Sequence, residues 1–133
     1  MPMSIAGVNY GWNIMEGPSC HRSAGCDQPG LQRPALSYPH ENSVCSVIGG
    51  FVYRGQKIPE IQGQYFYSDY CNSWLRSFGF ADGKVTDQHE WPVRGGKLGR
   101  ITSFGEDSQG ELYITTSSGR VYRIIRTPGN PAP

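Results

Sequence analysis

The sequence predicts an all-β protein, and its composition and residue patterning support that prediction. Gly occurs 18 times and Pro 10 times in 133 residues, which indicates many tight turns. Aromatic residues make up 12% of the chain and include 8 Tyr, a residue that is common in strands. Short runs of β-branched and aromatic residues alternate with Gly, Asp and Asn, and helical spacing of apolar residues is nearly absent. The length suits a single domain.

The charge balance argues against two classes of partner. Lys and Arg total 12 and Asp and Glu total 11, so the formal net charge is +1. No basic excess favours nucleic acid or a membrane surface. No run reaches the roughly 18 apolar residues that a membrane span needs. Residues 1–7 contain neither a basic nor an apolar region, so the sequence shows no signal peptide.

Eight short segments are predicted to form strands, because each is rich in strand-forming residues and is bounded by turn residues: 8–15, 47–54, 64–69, 73–80, 85–91, 100–104, 111–116 and 120–125. The segment that begins at Gly63 is repeated by the segment that begins at Gly110, with Arg76 matching Arg123. A repeat of about 40 to 50 residues made of short strands is typical of β-propeller blades.

The eight predicted strands divide as one, four and three, which amounts to two four-stranded blades when the displaced strand 8–15 is counted as an outer strand. The predicted organisation is an extension (1–7), a two-blade propeller segment (8–125) with a full blade (43–92) and a three-stranded part blade (100–125), and a flexible tail (126–133). Since propellers contain about four to eight blades, two cannot close a ring. Either the chain belongs to a longer one, or it forms a homotrimer with a six-bladed ring. In that trimer, strand 8–15 of one copy would complete the part blade of its neighbour.

Four cysteines, Cys20, Cys26, Cys45 and Cys71, leave three states open from their spacing alone. An even number in a chain rich in Gly and Pro favours two disulfides and therefore an oxidising compartment. Free thiols and a metal site are the alternatives, although no CxxC pair of the kind typical of zinc sites occurs.

Several stretches resemble the soluble PQQ-dependent sugar dehydrogenases, the six-bladed propellers of the glucose/sorbosone dehydrogenase type. They are NYGWNIMEG at 9–17, CSVIGGFVYRG at 45–55, IPEIQGQYFYSDYC at 58–71 and SFGEDSQGELYITTSSGRVYRI at 103–124. The resemblance corresponds to the two C-terminal blades of such a protein. It implies Cys20–Cys26 and Cys45–Cys71 pairing, an extracellular or periplasmic location and PQQ as cofactor. The blade that carries the family's catalytic His has no counterpart here, so the resemblance assigns no catalytic residue.

One face of the predicted propeller collects the candidate site residues. The loops that precede each inner strand and those that join the second and third strands would lie there, with the polar residues His40, Glu41, Asp69, Tyr70, Arg94, Lys97 and Arg100. In a trimer, three copies of His40 around one axis could hold Zn²⁺, with Ca²⁺ as another possible divalent metal. Glu41 or Asp69 would then act as the base. Tyr70, Arg94, Lys97 and Arg100 would bind an anionic small-molecule substrate. Alternatively, His40 is a structural turn residue that bonds a loop carbonyl.

Three functions follow from these residues. The first is metal-assisted hydrolysis of phosphate-type or sulfate-type esters in an axial pocket. The second, which the resemblance implies, is PQQ-dependent oxidation of aldose sugars. The third is non-catalytic binding of a sugar or a partner. Trp12, Trp74 and Trp91 are expected to pack between blades rather than to stack on a sugar.

Overall fold

The computed structural model describes residues 7–22, 25–26, 28–92 and 98–127. Most of the predicted extension (1–7) and most of the predicted tail (126–133) lie outside the described residues. The same holds for two candidate ligand-binding residues, Arg94 and Lys97.

The described residues form an all-β structure, which confirms the predicted fold class. A small hairpin comes first, formed by β1 (Met15–Glu16) and β2 (Ser19–Cys20). A four-stranded antiparallel sheet follows, in the order β3 (Val47–Val52), β4 (Tyr65–Asp69), β5 (Leu75–Ala81) and β6 (Lys84–Trp91). A three-stranded antiparallel sheet comes last, made of β7 (Ile101–Glu106), β8 (Leu112–Thr116) and β9 (Val121–Arg123). One turn of 3-10 helix lies at Pro59–Ile61.

The sequence repeat corresponds to a repeat of backbone conformation. Gly63 precedes β4 with φ +82°, and Gly110 precedes β8 with φ +78°, a left-handed region that favours glycine. Gly110 also lies close to the loop after β3, since a Cβ there would lie 2.7 Å from the carbonyl carbon of Arg54. Each repeat therefore turns at its glycine into the second strand of a sheet.

The predicted strand over residues 8–15 requires correction. Residues 12–14 form a turn, in which the N–H groups of Ile14 and Met15 donate to the Gly11 carbonyl at 2.7 and 2.8 Å. Only Met15–Glu16 is extended in a ladder, and it pairs with Ser19–Cys20. The apolar alternation of this segment favours a strand, but the local turn takes the backbone hydrogen bonds that a strand would offer to a neighbour.

The core lies between the two sheets, where β3 and β7 run side by side. The buried side chains of the larger cluster come from both sheets: Tyr53, Ile58, Ile61, Phe66, Leu75, Ile101, Phe104, Leu112 and Ile114. Burial of a large apolar side chain contributes about 1.5–3 kcal/mol. Neither sheet buries this face alone, so packing of the two sheets stabilises both.

A buried polar contact joins the sheets beside this core. Glu111, with 1% of its surface exposed, directly precedes β8, and Tyr53, with 0% exposed, directly follows β3. The Tyr53 hydroxyl donates to Glu111 Oε2 at 3.0 Å and accepts from the Ile58 N–H at 3.1 Å. The Lys57 N–H donates to Glu111 Oε1 at 3.2 Å. The two sheets are therefore held in a defined position by hydrogen bonds as well as by apolar packing.

The described residues contain no helix that is long and apolar enough to cross a membrane.

We expect Tyr53→Phe to lower the free energy of unfolding by about 1–3 kcal/mol. The change removes a donor from the buried Glu111 carboxylate and an acceptor from the Ile58 N–H. Urea denaturation of the chain measures the loss. Tyr10→Phe is the control, because Tyr10 is 54% exposed, and it should change stability by less than about 0.5 kcal/mol. Equal stability of the two variants would contradict this role of Tyr53.

Candidate functional site

Loops at one end of both sheets form a continuous surface. They comprise residues 38–46 before β3, 70–74 between β4 and β5, 98–100 before β7 and 117–120 between β8 and β9. The Cys45–Cys71 disulfide joins the first two loops, with a Cα–Cα distance of 5.7 Å. The Ser117 N–H donates to the Arg100 carbonyl at 2.9 Å and joins the last two. We call this surface the stapled face.

The Asp69 carboxylate lies beneath the two disulfide-linked loops of the stapled face. Asp69 ends β4 and has no exposed surface. Its Oδ2 accepts hydrogen bonds from the Tyr38 hydroxyl at 3.1 Å and from the N–H groups of Cys45 and Ser46 at 3.0 and 2.9 Å. Its Oδ1 accepts from the N–H groups of Cys71 and Asn72, both at 2.9 Å. The side chain therefore fixes both disulfide-linked loops.

These contacts determine the ionisation of Asp69 and Tyr38. Burial alone raises the pKa of the Asp69 carboxyl, but the hydrogen bonds that it accepts outweigh burial and lower the pKa below its usual range. Burial, followed by the adjacent Asp69 charge, raises the pKa of the Tyr38 phenol. Asp69 is therefore an ionised acceptor and Tyr38 a protonated donor at neutral pH.

The geometry around Asp69 disfavours two predicted possibilities, which are Asp69 as a base and a metal site at the cysteines. One ligand atom each from Cys45, Asp69 and Cys71 lies within 4.8 Å of the others, which resembles a metal site. The two sulfur atoms are bonded to each other, and the carboxylate accepts five hydrogen bonds. This cluster does not fit a metal. Action of Asp69 as a base stays a prediction that this geometry does not favour.

Tyr70 and Arg100 come together from different sheets. The guanidinium carbon of Arg100 lies 5.3 Å from the centre of the Tyr70 ring, within the range of a cation–π contact. Tyr70 is half-buried and Arg100 is exposed. Tyr70 follows Asp69 directly, so its position depends on the same loop. The structure therefore places two of the predicted ligand-binding residues side by side.

His40 and Glu41 lie on the stapled face and are both exposed. The Glu41 N–H donates to the Pro39 carbonyl at 2.9 Å, which closes a tight turn. Within the described residues, neither side chain has a hydrogen-bond or ion-pair partner. The predicted metal-binding and catalytic roles of His40 and Glu41 stay predictions.

The structure also places residues that the sequence analysis assigned differently. Trp12 is 71% exposed and Tyr10 is 54% exposed, so Trp12 does not pack between the two sheets of this chain, and its packing against a further blade stays a prediction. The Trp12 ring centre lies 4.8 Å from that of His21, and His21 Nδ1 lies 3.1 Å from Glu16 Oε2. The Cys20–Cys26 disulfide closes this region. The sequence Tyr-Gly-Trp at 10–12 shows that two aromatic residues lie close together in the chain, but it does not show that they are exposed.

Trp74 and Trp91 both pack against other side chains, but only Trp91 lies against the core that the two sheets share, as expected. Trp74 is buried against Tyr67 with ring centres 5.3 Å apart, and the Arg76 guanidinium carbon lies 4.1 Å from the Trp74 ring centre. Trp91 packs against the core that the two sheets share, beside Phe66.

Comparison with known proteins decides the family. The model of the glucose/sorbosone dehydrogenase family matches residues 3–123. The chain belongs to this family. The resemblance seen in the sequence is thereby confirmed, and the two sheets are blades of a β-propeller. Both disulfides that the resemblance implied are present in the structure.

Curated relatives extend over much longer chains. The HIPL1 protein of Arabidopsis thaliana is 30% identical over 90% of this chain, and the match covers 21% of the HIPL1 sequence. The HIPL2 protein of the same organism is 32% identical over 90% of this chain, and the match covers 22% of the HIPL2 sequence. The Hedgehog-interacting protein of Homo sapiens is 34% identical over 59% of this chain and 13% of its own length. The chain thus spans about a fifth of the first two relatives. Its paired cysteines are typical of an oxidising compartment.

We expect the stability of the chain to fall as the pH is lowered below about 4, in part because Asp69 becomes protonated. The pKa of Asp69 is lower in the folded chain than its usual value, so the stabilisation is complete above about 3.9 and is lost as the pH falls through the folded pKa. Urea denaturation at several pH values measures this dependence.

Asp69→Asn should lower stability at neutral pH and flatten the acid dependence, because an amide nitrogen would face backbone N–H donors. Asp82→Asn is the control, since Asp82 is exposed in the turn between β5 and β6. In the wild type, the Asp69 carboxyl carbon resonance should titrate below about pH 3.9, which is readable even if the variant fails to fold. Titration above that value would contradict the assignment.

Proposed function

We propose that the stapled face is a non-catalytic binding surface for an acidic segment of a partner protein. The observation that carries this proposal is the state of Asp69. All five of its hydrogen bonds run to two loops of the face, 38–46 and 70–74, so Asp69 acts as an anchor that holds the loop of Tyr70 in place. Rigid loops lose little conformational entropy on binding.

The chemistry of the partner is inferred from Tyr70 and Arg100. Tyr and Arg are among the residue types that contribute most to protein interfaces. The Arg guanidinium can donate two parallel hydrogen bonds to a carboxylate, and the Tyr70 ring limits the positions that it can take. An Asp or Glu side chain of a partner matches this pair.

The relatives support binding rather than hydrolysis. One of them is named Hedgehog-interacting protein, a name that states contact with a protein. Metal-assisted hydrolysis would require a ligand set and a base close together. On the described part of the stapled face, Asp69 is engaged and His40 and Glu41 are exposed without partners. Hydrolysis at a metal site formed by three copies of His40 is therefore the less well supported function.

Sugar binding is a second candidate function, and exposed Trp12 and Tyr10 favour it. An aromatic face beside polar groups such as Glu16 and His21 suits a sugar ring. The family description, glucose/sorbosone dehydrogenase, agrees with a sugar ligand. A sugar would then bind beside Trp12 and Tyr10, away from Tyr70 and Arg100.

PQQ, the cofactor that the resemblance implies, does not fit the described residues alone. This quinone carries several carboxylates and would need several fixed cations. The described loops of the stapled face offer two cations, Arg100 and Arg120, both exposed. We derive no step through the quinone. Oxidation by a complete propeller stays a prediction for the family, not a property of these two blades.

We also propose that the chain works outside the cell and closes its propeller as a homotrimer. The two disulfides favour an oxidising location. Within the described residues, β9 pairs with β8 on one side and leaves its other edge open. Val121 is 67% and Ile125 is 61% exposed near that edge. An open apolar edge favours addition of a strand.

Binding of an acidic probe tests the function. A fluorescently labelled oligo-glutamate peptide should bind the chain, and Tyr70→Ala or Arg100→Gln should weaken binding by about tenfold, as for an interface hot spot. Fluorescence anisotropy at fixed salt measures the change. Arg22→Gln is the matched control, because Arg22 is exposed in the loop closed by Cys20–Cys26.

Two results would contradict the binding proposal. One is equal weakening by Arg22→Gln and Arg100→Gln, which would indicate general charge attraction. The other is chelator-sensitive hydrolysis of p-nitrophenyl phosphate that His40→Ala abolishes. Glucose in place of the peptide tests the second candidate, since it should change Trp12 fluorescence and leave the Tyr70 and Arg100 variants unaffected.

Native mass spectrometry tests the assembly. We expect a species with the mass of three chains, because three copies of two blades make a six-bladed ring and each copy offers an open β9 edge. Val121→Lys should shift the distribution to single chains, since a charged edge opposes strand addition. A single-chain mass for the unaltered protein at micromolar concentration would exclude the trimer.

A further inference from the structure

A polar slot lies in the four-stranded blade, far from the stapled face. The strand register pairs Tyr65 with Phe78 and Gly79 with Thr86, so Gln64, Gly79 and Thr86 lie in one row across the sheet. Because Gly79 has no side chain, the row is open at its centre. A Cβ there would lie 2.7 Å from Thr86 Oγ1 and 3.6 Å from both Gln64 Nε2 and Asp87 Oδ2. Three polar side chains therefore converge over one glycine.

A β-bulge explains why Asp87 joins this group. Successive side chains of a regular strand point to opposite faces, so Thr86 and Asp87 would normally diverge. The ladder between β5 and β6 shifts register between Ser77 and Gly79, which adds one residue to β6. Asp87 has φ 46°, a left-handed conformation that is rare outside glycine. Bulges of this kind redirect a side chain and are common beside functional sites.

Gln64 is the independent observation that indicates a ligand. Its side chain is 9% exposed, and its Oε1 is buried without a hydrogen-bond partner among the described residues. A buried, unpaired amide oxygen is destabilising unless a bound water or ion satisfies it. Rotation of the amide by half a turn exchanges Nε2 and Oε1, so the oxygen can face the slot.

We propose that the slot formed by Gln64, Thr86 and Asp87 over Gly79 binds a calcium ion. An amide oxygen, a hydroxyl and a carboxylate are hard oxygen ligands of the kind that Ca²⁺ takes in irregular geometry. Mg²⁺ demands a near-octahedral arrangement, which two adjacent side chains of a bulged strand and one from the segment before β4 do not favour. With one carboxylate, the affinity should lie at the weak end, about 10⁻⁴–10⁻³ M, as in extracellular modules.

The slot is independent of the proposed binding surface. Gln64 immediately precedes β4, whereas Asp69 ends it, so the two sites lie at opposite ends of one strand. Bound calcium would join the start of β4 to β6, across Gly79 of β5, at the end of the blade that the Cys45–Cys71 disulfide does not reach. The slot and the disulfide would stabilise opposite ends of the same sheet.

The experiment is a calcium titration of the metal-depleted chain, followed by NMR. Adding CaCl₂ up to about 10 mM should shift the Gln64 side-chain amide and the backbone amides of Gly79, Thr86 and Asp87 in a saturable way. The thermal unfolding midpoint should rise in parallel. NaCl at matched ionic strength should do neither. Absence of saturable shifts, or equal shifts with NaCl, would overturn the proposal.

Two variants separate calcium binding from a structural effect. Asp87→Asn keeps the size and tolerates the left-handed backbone, and it should lose the calcium response. Asp82→Asn, in the adjacent turn, should keep it. Gln64→Met removes the unpaired oxygen, so it should fold at least as stably without calcium and lose the response. A response that persists in Asp87→Asn and Gln64→Met would overturn the assignment. A stability change that is the same with and without calcium would assign the slot to a buried water instead.

Discussion

The arrangement of the two blades depends on one buried contact, the hydrogen bond between Tyr53 and Glu111. A carboxylate with 1% exposure is tolerated in the interior only if donors surround it, and Tyr53 and the Lys57 backbone supply them from the other blade. Gly55 leaves the space for this approach, since a Cβ there would lie 2.5 Å from Glu111 Oε1. The contact fixes how far the blades separate, and therefore where their loops meet at the other end.

At that other end lies a second buried carboxylate, that of Asp69, which the structure indicates is a structural group rather than a catalytic one. Asp69 is a plausible base when only residue types are considered. In the structure its five hydrogen bonds make it a structural acceptor, and its lowered pKa is a consequence of those bonds. A perturbed pKa in a loop cluster can thus indicate an anchor rather than a catalyst. Two other groups of the described surface, Tyr70 and Arg100, suit recognition.

Much of the fold could be predicted from the sequence, since strands in blades alternate with strong turn signals. Seven of the eight predicted strands have counterparts in β3 to β9, with ends that differ by a few residues. The repeat from Gly63 to Gly110 is reproduced in backbone conformation. The exception is 8–15, where a turn on Gly11 satisfies the backbone locally. Sequence patterning reports which residues favour extension, but it does not report competing local hydrogen bonds.

The sequence by itself determined the fold class, the family and the face on which the polar loop residues lie, because these depend on periodicity, repeats and motif identity. The tertiary structure alone decided which of those residues act together. It buried Asp69, brought Arg100 to Tyr70 from another blade and exposed Trp12. It also placed Gln64 and Asp87 in one slot through a bulge. These outcomes depend on contacts between residues distant in sequence and on which donors satisfy each buried acceptor. The pattern of residue types along the sequence specifies neither of them directly.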